Sequence, residues 1–135
     1  MDHLVARYKL MVITIFILCS INHIVAKIEI QITNRLGGER SLNLHCQSKD
    51  DDLGKQTLKE GNSFRFEFSP NFFGGTLFYC DMEWERVSKF SFDAYSEERD
   101  VDQCRSKCMW LVAEEGIYRW SDRNGFWAFM FFWPS

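Results

Sequence analysis

The residues with chemistry to offer are five cysteines, one histidine outside the N-terminal segment, and a run of three aspartates. Cys19 lies in an apolar stretch near the N-terminus; Cys46, Cys80, Cys104 and Cys108 remain once that stretch is set aside. Four thiols in a short exported chain read as a disulfide framework. A zinc site is the rival. It would need Cys or Cys plus His at paired spacings, and an oxidising compartment opposes it. Four cysteines allow three pairings. Cys46 and Cys108 sit among large apolar residues at alternate positions, which favours Cys46–Cys108 together with Cys80–Cys104. A Cys104–Cys108 bridge is sterically allowed but closes so short a loop that it would staple little of the fold.

His3 and His23 belong to the N-terminal segment, so His45 is the one histidine of the remaining chain. Two-histidine acid–base chemistry is therefore absent. A Ser-His-Asp arrangement needs a base held by a carboxylate beside a nucleophile, and no G-x-S-x-G turn occurs. No cysteine is spare as a thiol nucleophile. Paired carboxylates can hydrolyse glycosides, but a chain this short has little room for a sugar cleft. The expectation is a protein with no catalytic residues and no cofactor, in which His45 anchors a loop or stays on the surface. Asp50, Asp51 and Asp52 offer oxygen ligands for a hard cation, yet consecutive aspartates lack the alternate spacing of an EF-hand loop. Turn-fixing hydrogen bonds to nearby N–H groups are the favoured role, with partner contact second, and no metal is expected.

These residues need a compartment and a scaffold. Arg7 and Lys9 precede an apolar run, residues 10–21, and Ala26 offers a small residue for cleavage. This is the layout of a secretory signal over residues 1–26. Asn22 and His23 interrupt the run before the roughly 20 apolar residues that a membrane span requires. Cleavage would leave 109 of 135 residues as one domain, 27–135, and the loss of Asp2, Arg7 and Lys9 gives 14 basic against 18 acidic residues, formally −4. Such a balance excludes nucleic acid, which demands clustered Lys and Arg. It also speaks against a cationic membrane-active defence protein. No Asn-x-Ser/Thr site occurs. The predicted destination is extracellular, with no membrane insertion after cleavage.

The dominant hydrophobic period is two. Ile28, Ile30 and Ile32 alternate with polar residues, as do Leu42, Leu44 and Cys46, and then Phe64, Phe66 and Phe68. Phe78, Cys80, Met82 and Trp84 share one face; Phe90 and Phe92 mark a further strand. Cys108, Trp110 and Val112 open another, and residues 116–120 and 126–133 supply the last two. About eight short strands separated by turn signals predict an all-β chain, an antiparallel β-sandwich bridged by disulfides. Residues 49–54 and 96–103 read as charged loops, with room for a short helix over 101–107. The final strand is apolar on both faces. That suits a central or covered strand; the alternative is an exposed aromatic patch for a partner.

Four segments together carry a resemblance: His45-Cys46-Gln47-Ser48-Lys49-Asp50-Asp51-Asp52-Leu53-Gly54; Thr76-Leu77-Phe78-Tyr79-Cys80 with Trp84; Asp100 with Cys104-Arg105-Ser106-Lys107-Cys108-Met109-Trp110; and Gly116-Ile117-Tyr118 with Phe132-Trp133. In this order, after a signal peptide, they resemble the plant self-incompatibility protein family, the S-protein homologues. The resemblance implies a small secreted β-sandwich acting as a signalling ligand for a cell-surface receptor protein, in pollen rejection or a related role. A defence-type protein and a small secreted hydrolase are the alternatives. Recognition on sandwiches usually sits on loops held by a rigid scaffold. Four loops qualify, 35–40, 49–56, 71–75 and 96–103, with Asp50, Asp51, Asp52, Asn71, Glu97, Glu98 and Arg99 as the candidate partner-binding residues.

Overall fold

The computed structural model describes residues 2–24, 27–70 and 75–135. Two β-sheets pack face to face, preceded by a helix, α1 (Asp2–Ile24). Leu4, Val5, Leu10, Met11, Ile13 and Ile15 of α1 are exposed. Among the described residues no helix is long and apolar enough to cross a membrane. Val25 and Ala26 of the expected cleavage region lie outside the described residues.

The strands follow as β1 (Ile28–Arg35), β2 (Leu42–Gln47), β3 (Asp52–Leu58), β4 (Ser63–Phe68), β5 (Leu77–Trp84), β6 (Val87–Ser96), β7 (Lys107–Ala113), β8 (Gly116–Ser121) and β9 (Phe126–Phe132). The five-stranded sheet runs β4-β1-β7-β8-β9, the four-stranded sheet β3-β2-β5-β6. The pairings are antiparallel except β1 with β7, which run parallel in the register Ile30↔Cys108 and Ile32↔Trp110. The chain returns to one side of β1 at β4 and reaches the other side, at β7, only after passing through β5 and β6 of the second sheet.

Period-two alternation places the core. Ile28, Ile30 and Ile32 face Leu42, Leu44, Cys46, Phe78, Cys80 and Met82 across the sandwich, and all are buried. Each isoleucine, leucine, phenylalanine or methionine among them contributes about 1.5–3 kcal/mol by leaving water. Trp110, fully buried, meets Phe92 edge-on at 5.1 Å and lies parallel to Phe131 at 6.1 Å. Its indole N–H donates to the Ala94 carbonyl at 3.0 Å, which ties β7 to β6 across the layers.

Two local expectations differ from the structure. The segment read as a charged loop, residues 49–54, runs into β3, an edge strand in the register Leu42↔Leu58 and Leu44↔Gln56. Only Leu58 of β3 is buried, so no apolar alternation announces it. The segment 96–103 contains a single helical turn, α2 (Glu97–Asp100), earlier in the chain than the short helix expected over 101–107.

Candidate functional site

All four cysteines are bridged, but not in the expected pairs. The structure pairs Cys46 with Cys80 and Cys104 with Cys108, in place of Cys46–Cys108 and Cys80–Cys104. Register decides the first bridge: Cys46 lies opposite Cys80 on antiparallel β2 and β5, Cα atoms 4.0 Å apart. Cys108 faces the same core but from the other sheet, on β7 beside Ile30 of β1. The second bridge closes the turn that leads into β7, with Cα atoms 5.0 Å apart. It fixes the entry to β7 rather than joining the layers.

The topology gathers most of the candidate residues at one end of the sandwich. The β2–β3 turn carries Asp50 and Asp51, and Asp52 begins β3. Gln47 at the end of β2 pairs with Tyr79 near the start of β5, and Leu77 of β5 pairs with Ser96, the last residue of β6. Glu97, Glu98 and Arg99 follow at once in α2. Asp50, Asp51, Asp52 and Glu98 are exposed. An open depression of about 450 Å³ lies there, lined by Gly75, Thr76, Leu77, Asp93, Ser96, Glu97 and Glu98. Asn71 lies outside the described residues.

These side chains divide into those that build the end and those that present it. The Ser48 N–H donates to the Asp51 carbonyl at 2.8 Å, and the Asp51 N–H donates to Ser48 Oγ at 3.1 Å. Asp52 accepts from the Gly54 N–H at 2.9 Å and contacts His45 Nε2 at 2.6 Å. These hydrogen bonds, the Gly54 one first, hold the Asp52 carboxyl below its ordinary value. Of the three aspartates, Asp52 alone fixes the turn through its carboxylate, which also anchors His45, while Asp51 bonds through its backbone. Glu97 and Thr76 bond each other twice: Thr76 N–H donates to Glu97 Oε2 at 3.2 Å, and Glu97 N–H to the Thr76 carbonyl at 3.1 Å. The guanidinium of Arg99 donates to Asp100 Oδ1 and Oδ2 at 2.7 and 2.6 Å and to the Asp93 carbonyl at 2.7 Å. Arg99 is thus held within the fold, and the outward charge at α2 belongs chiefly to Glu98.

Asp100 is the residue that composition and periodicity could not single out. It is fully buried, and besides Arg99 it accepts from the Ser96 N–H at 2.9 Å and from Arg119 of β8. Burial pulls the Arg119 guanidinium below its ordinary value while Asp100 opposes that pull. Arg99 and Arg119 both lie over the Trp110 ring, at 5.4 and 5.7 Å. A single carboxylate so joins α2, β6 and β8 and sets the geometry of the acidic end.

A second surface is polar and lies on the outer face of the four-stranded sheet. An open groove of about 400 Å³ there is lined by Asn43, His45, Lys55, Thr57, Asp81, Glu83 and Lys89 among others. Its side chains bond along the sheet: Thr57 Oγ1 donates to Asn43 Oδ1 at 2.9 Å, and Asn43 Nδ2 to Glu83 Oε1 at 3.2 Å. Both bonds lie between exposed side chains, and the face is solvated.

The third surface is aromatic. β9 is an edge strand, neither central nor covered as expected. A bulge opposite Ile117 and Tyr118 splits its faces. Phe131 and Trp133 pack inward, and the Trp133 N–H donates to the Ala113 carbonyl at 2.9 Å. Phe126, Trp127, Phe129 and Phe132 remain exposed.

Comparison with known proteins places these features among relatives. The sequence model of plant self-incompatibility protein S1 matches residues 29–133. Self-incompatibility protein S1 of Papaver rhoeas is 42% identical over 101 residues, covering 74% of this chain and 73% of the poppy protein. S-protein homolog 2 of Arabidopsis thaliana is 41% identical over 103 residues, 73% of this chain and 63% of that relative, under two thirds of its length. A solved self-incompatibility protein homologue, described as one of a widespread family of small, highly stable, secreted plant proteins, superposes with a TM-score of 0.61 at 21% identity. That superposition covers 82% of this chain and 96% of the solved one.

Proposed function

The chain belongs to the plant self-incompatibility protein S1 family, and from that premise we propose that it is a secreted, extracellular ligand read by a cell-surface receptor protein through its acidic end. One observation carries this reading. Exposed Asp50, Asp51 and Glu98 come from segments far apart in sequence, and a disulfide-locked scaffold brings them to one end. Loop charges on a rigid frame lose little conformational freedom on docking. Like-signed charges at one pole also steer the approach of a basic partner surface.

Residues 1–26 are the signal peptide and 27–135 the mature domain. Exposed Leu4, Val5, Leu10, Met11, Ile13 and Ile15 on the N-terminal helix suit a segment to be removed. Action is by contact rather than catalysis: His45 is tied to Asp52 and fixes a turn. The biological setting is self-recognition in pollination or a related cell–cell signal.

Labelled protein, purified from the medium of expressing plant cells, should bind intact candidate cells saturably. A variant carrying Asp50→Asn, Asp51→Asn and Glu98→Gln should bind at least about tenfold more weakly, roughly 1.4 kcal/mol. Absence of saturable binding at micromolar protein overturns the ligand reading. Undiminished binding by the folded triple variant overturns the assignment to the acidic end.

A further inference from the structure

The exposed edge at β9 is not shaped like the other three edges of the sandwich. β3 carries Asp52 and Lys55, β4 carries Arg65 and Glu67, and β6 carries Lys89 and Asp93. Charge on an edge strand discourages pairing with another chain. From Phe126 to Phe132, β9 has no charged residue at all. Its aromatic rings continue onto the outer face of the sheet. Trp127 meets Trp120 at 5.5 Å, Phe129 meets Tyr118 at 5.1 Å, and Phe132 meets Phe129 at 4.6 Å. Phe132 is 78% and Phe126 53% exposed.

We propose that β9 is a self-association edge, on which a second copy of this chain pairs its own β9 antiparallel to form a continuous ten-stranded sheet. Symmetry and charge select that occupant. An antiparallel pair of identical strands has a two-fold axis, and a charge near such an axis would face its own copy. This strand places none there. Beyond the strand ends the charges are complementary. Arg123 sits in the turn that enters β9, exposed and without an ion pair among the described residues. Glu115, whose exposed carboxylate accepts from the Tyr118 hydroxyl at 2.8 Å, sits beside Gly116, which pairs with Phe132 at the strand's far end. Antiparallel pairing brings Arg123 of one copy and Glu115 of the other to the same end, and does so twice. Asp122, next to Arg123, is engaged with the Arg105 N–H at 3.4 Å. The exposed parts of four rings amount to about 400 Å², at 150–250 Å² per whole ring. That is about half of what each partner gives a standard interface. Paired strand backbones add to it, and the expected complex is a dimer that dissociates in the micromolar range.

Sedimentation velocity and hydrogen exchange on protein secreted into the medium test the proposal, over about 1 to 200 µM, the span that brackets such affinity. The natural chain should pass from monomer to dimer, with β9 amides gaining protection as concentration rises. Phe132→Lys, and separately Phe126→Lys, should each raise the dissociation constant at least about tenfold, with near-ultraviolet circular dichroism showing an intact fold. If either variant unfolds, the other decides; if both do, the concentration dependence of β9 protection in the natural chain decides. A chain that stays monomeric at the highest concentration overturns the proposal, whether or not it binds vesicles or other proteins. So does a dimer indifferent to both folded variants, or one whose β9 amides exchange freely.

Discussion

Asp100 and Arg119 form a buried ion pair between α2 and β8, the carboxylate fully out of solvent and the guanidinium 6% exposed. Arg99 shares the same carboxylate from its more open side, with 27% of its side chain exposed. Removing one member of a buried pair costs more than the pair is worth, because the other charge stays desolvated. Asp100→Asn should therefore lower unfolding free energy by about 3 kcal/mol or more, measured by urea denaturation. Arg99→Ala should cost distinctly less. A loss below about 1 kcal/mol for Asp100→Asn would show that the cluster does not hold the acidic end.

The two bridges should differ in worth because they close loops of different length, with sequence separations of 34 and 4. Chain-entropy reasoning gives about 4 kcal/mol for the first and about 2 kcal/mol for the second. Replacing Cys46 and Cys80 by Ala should thus lower the denaturation midpoint about twice as far as replacing Cys104 and Cys108. Equal losses would mean that the short bridge acts through the native geometry around Asp100, whose carbonyl accepts the Cys104 N–H at 2.9 Å.

Gly116 opens β8 at φ +154° beneath the ring of Phe129. A Cβ placed there would come within 2.6 Å of Phe129 Cζ and would also meet the Phe131 carbonyl. Gly116→Ala should cost about 2 kcal/mol or more through crowding and an unfavourable dihedral. Trimming the ring with Phe129→Ala should recover only part of that loss, because the Phe131 backbone remains. Full recovery in the double variant would assign the whole penalty to the ring.

Most of the sandwich was legible because alternating apolar residues face one core. Ile28, Ile30, Ile32, Leu42, Leu44 and Cys46 could be oriented from spacing alone. β3 was not, since an edge strand exposed on both faces keeps polar residues such as Lys55, Gln56 and Thr57. The cysteine pairing failed for a related reason. Alternation shows that Cys46 and Cys108 face inward but not which sheet each belongs to, and only register brings Cys80 opposite Cys46. The acidic residues could be chosen from their loops. Their convergence depends on strand order, and the burial of Asp100 depends on Arg119, nineteen residues away. Neither is a local property of the chain.

The Asp52 carboxylate links acidity to stability. Its hydrogen bonds from Gly54 and His45 lower its folded value below the ordinary 3.8. A group whose folded value is depressed contributes stability that is complete above its unfolded value and is lost as pH falls through the folded one. Glu114, lowered first by its hydrogen bond from Arg86 and then by that residue's charge, has the same sign. Melting temperature should therefore stay level down to about pH 5 and fall below pH 4 as these carboxylates protonate. Asp52→Asn should flatten part of that acid limb, so that variant and natural chain differ near neutrality and converge in strong acid. The substituted amide keeps an oxygen acceptor for the Gly54 N–H and for His45, which isolates the contribution of charge from that of turn geometry. A difference that grows as pH falls would have the opposite sign and would remove Asp52 as the source.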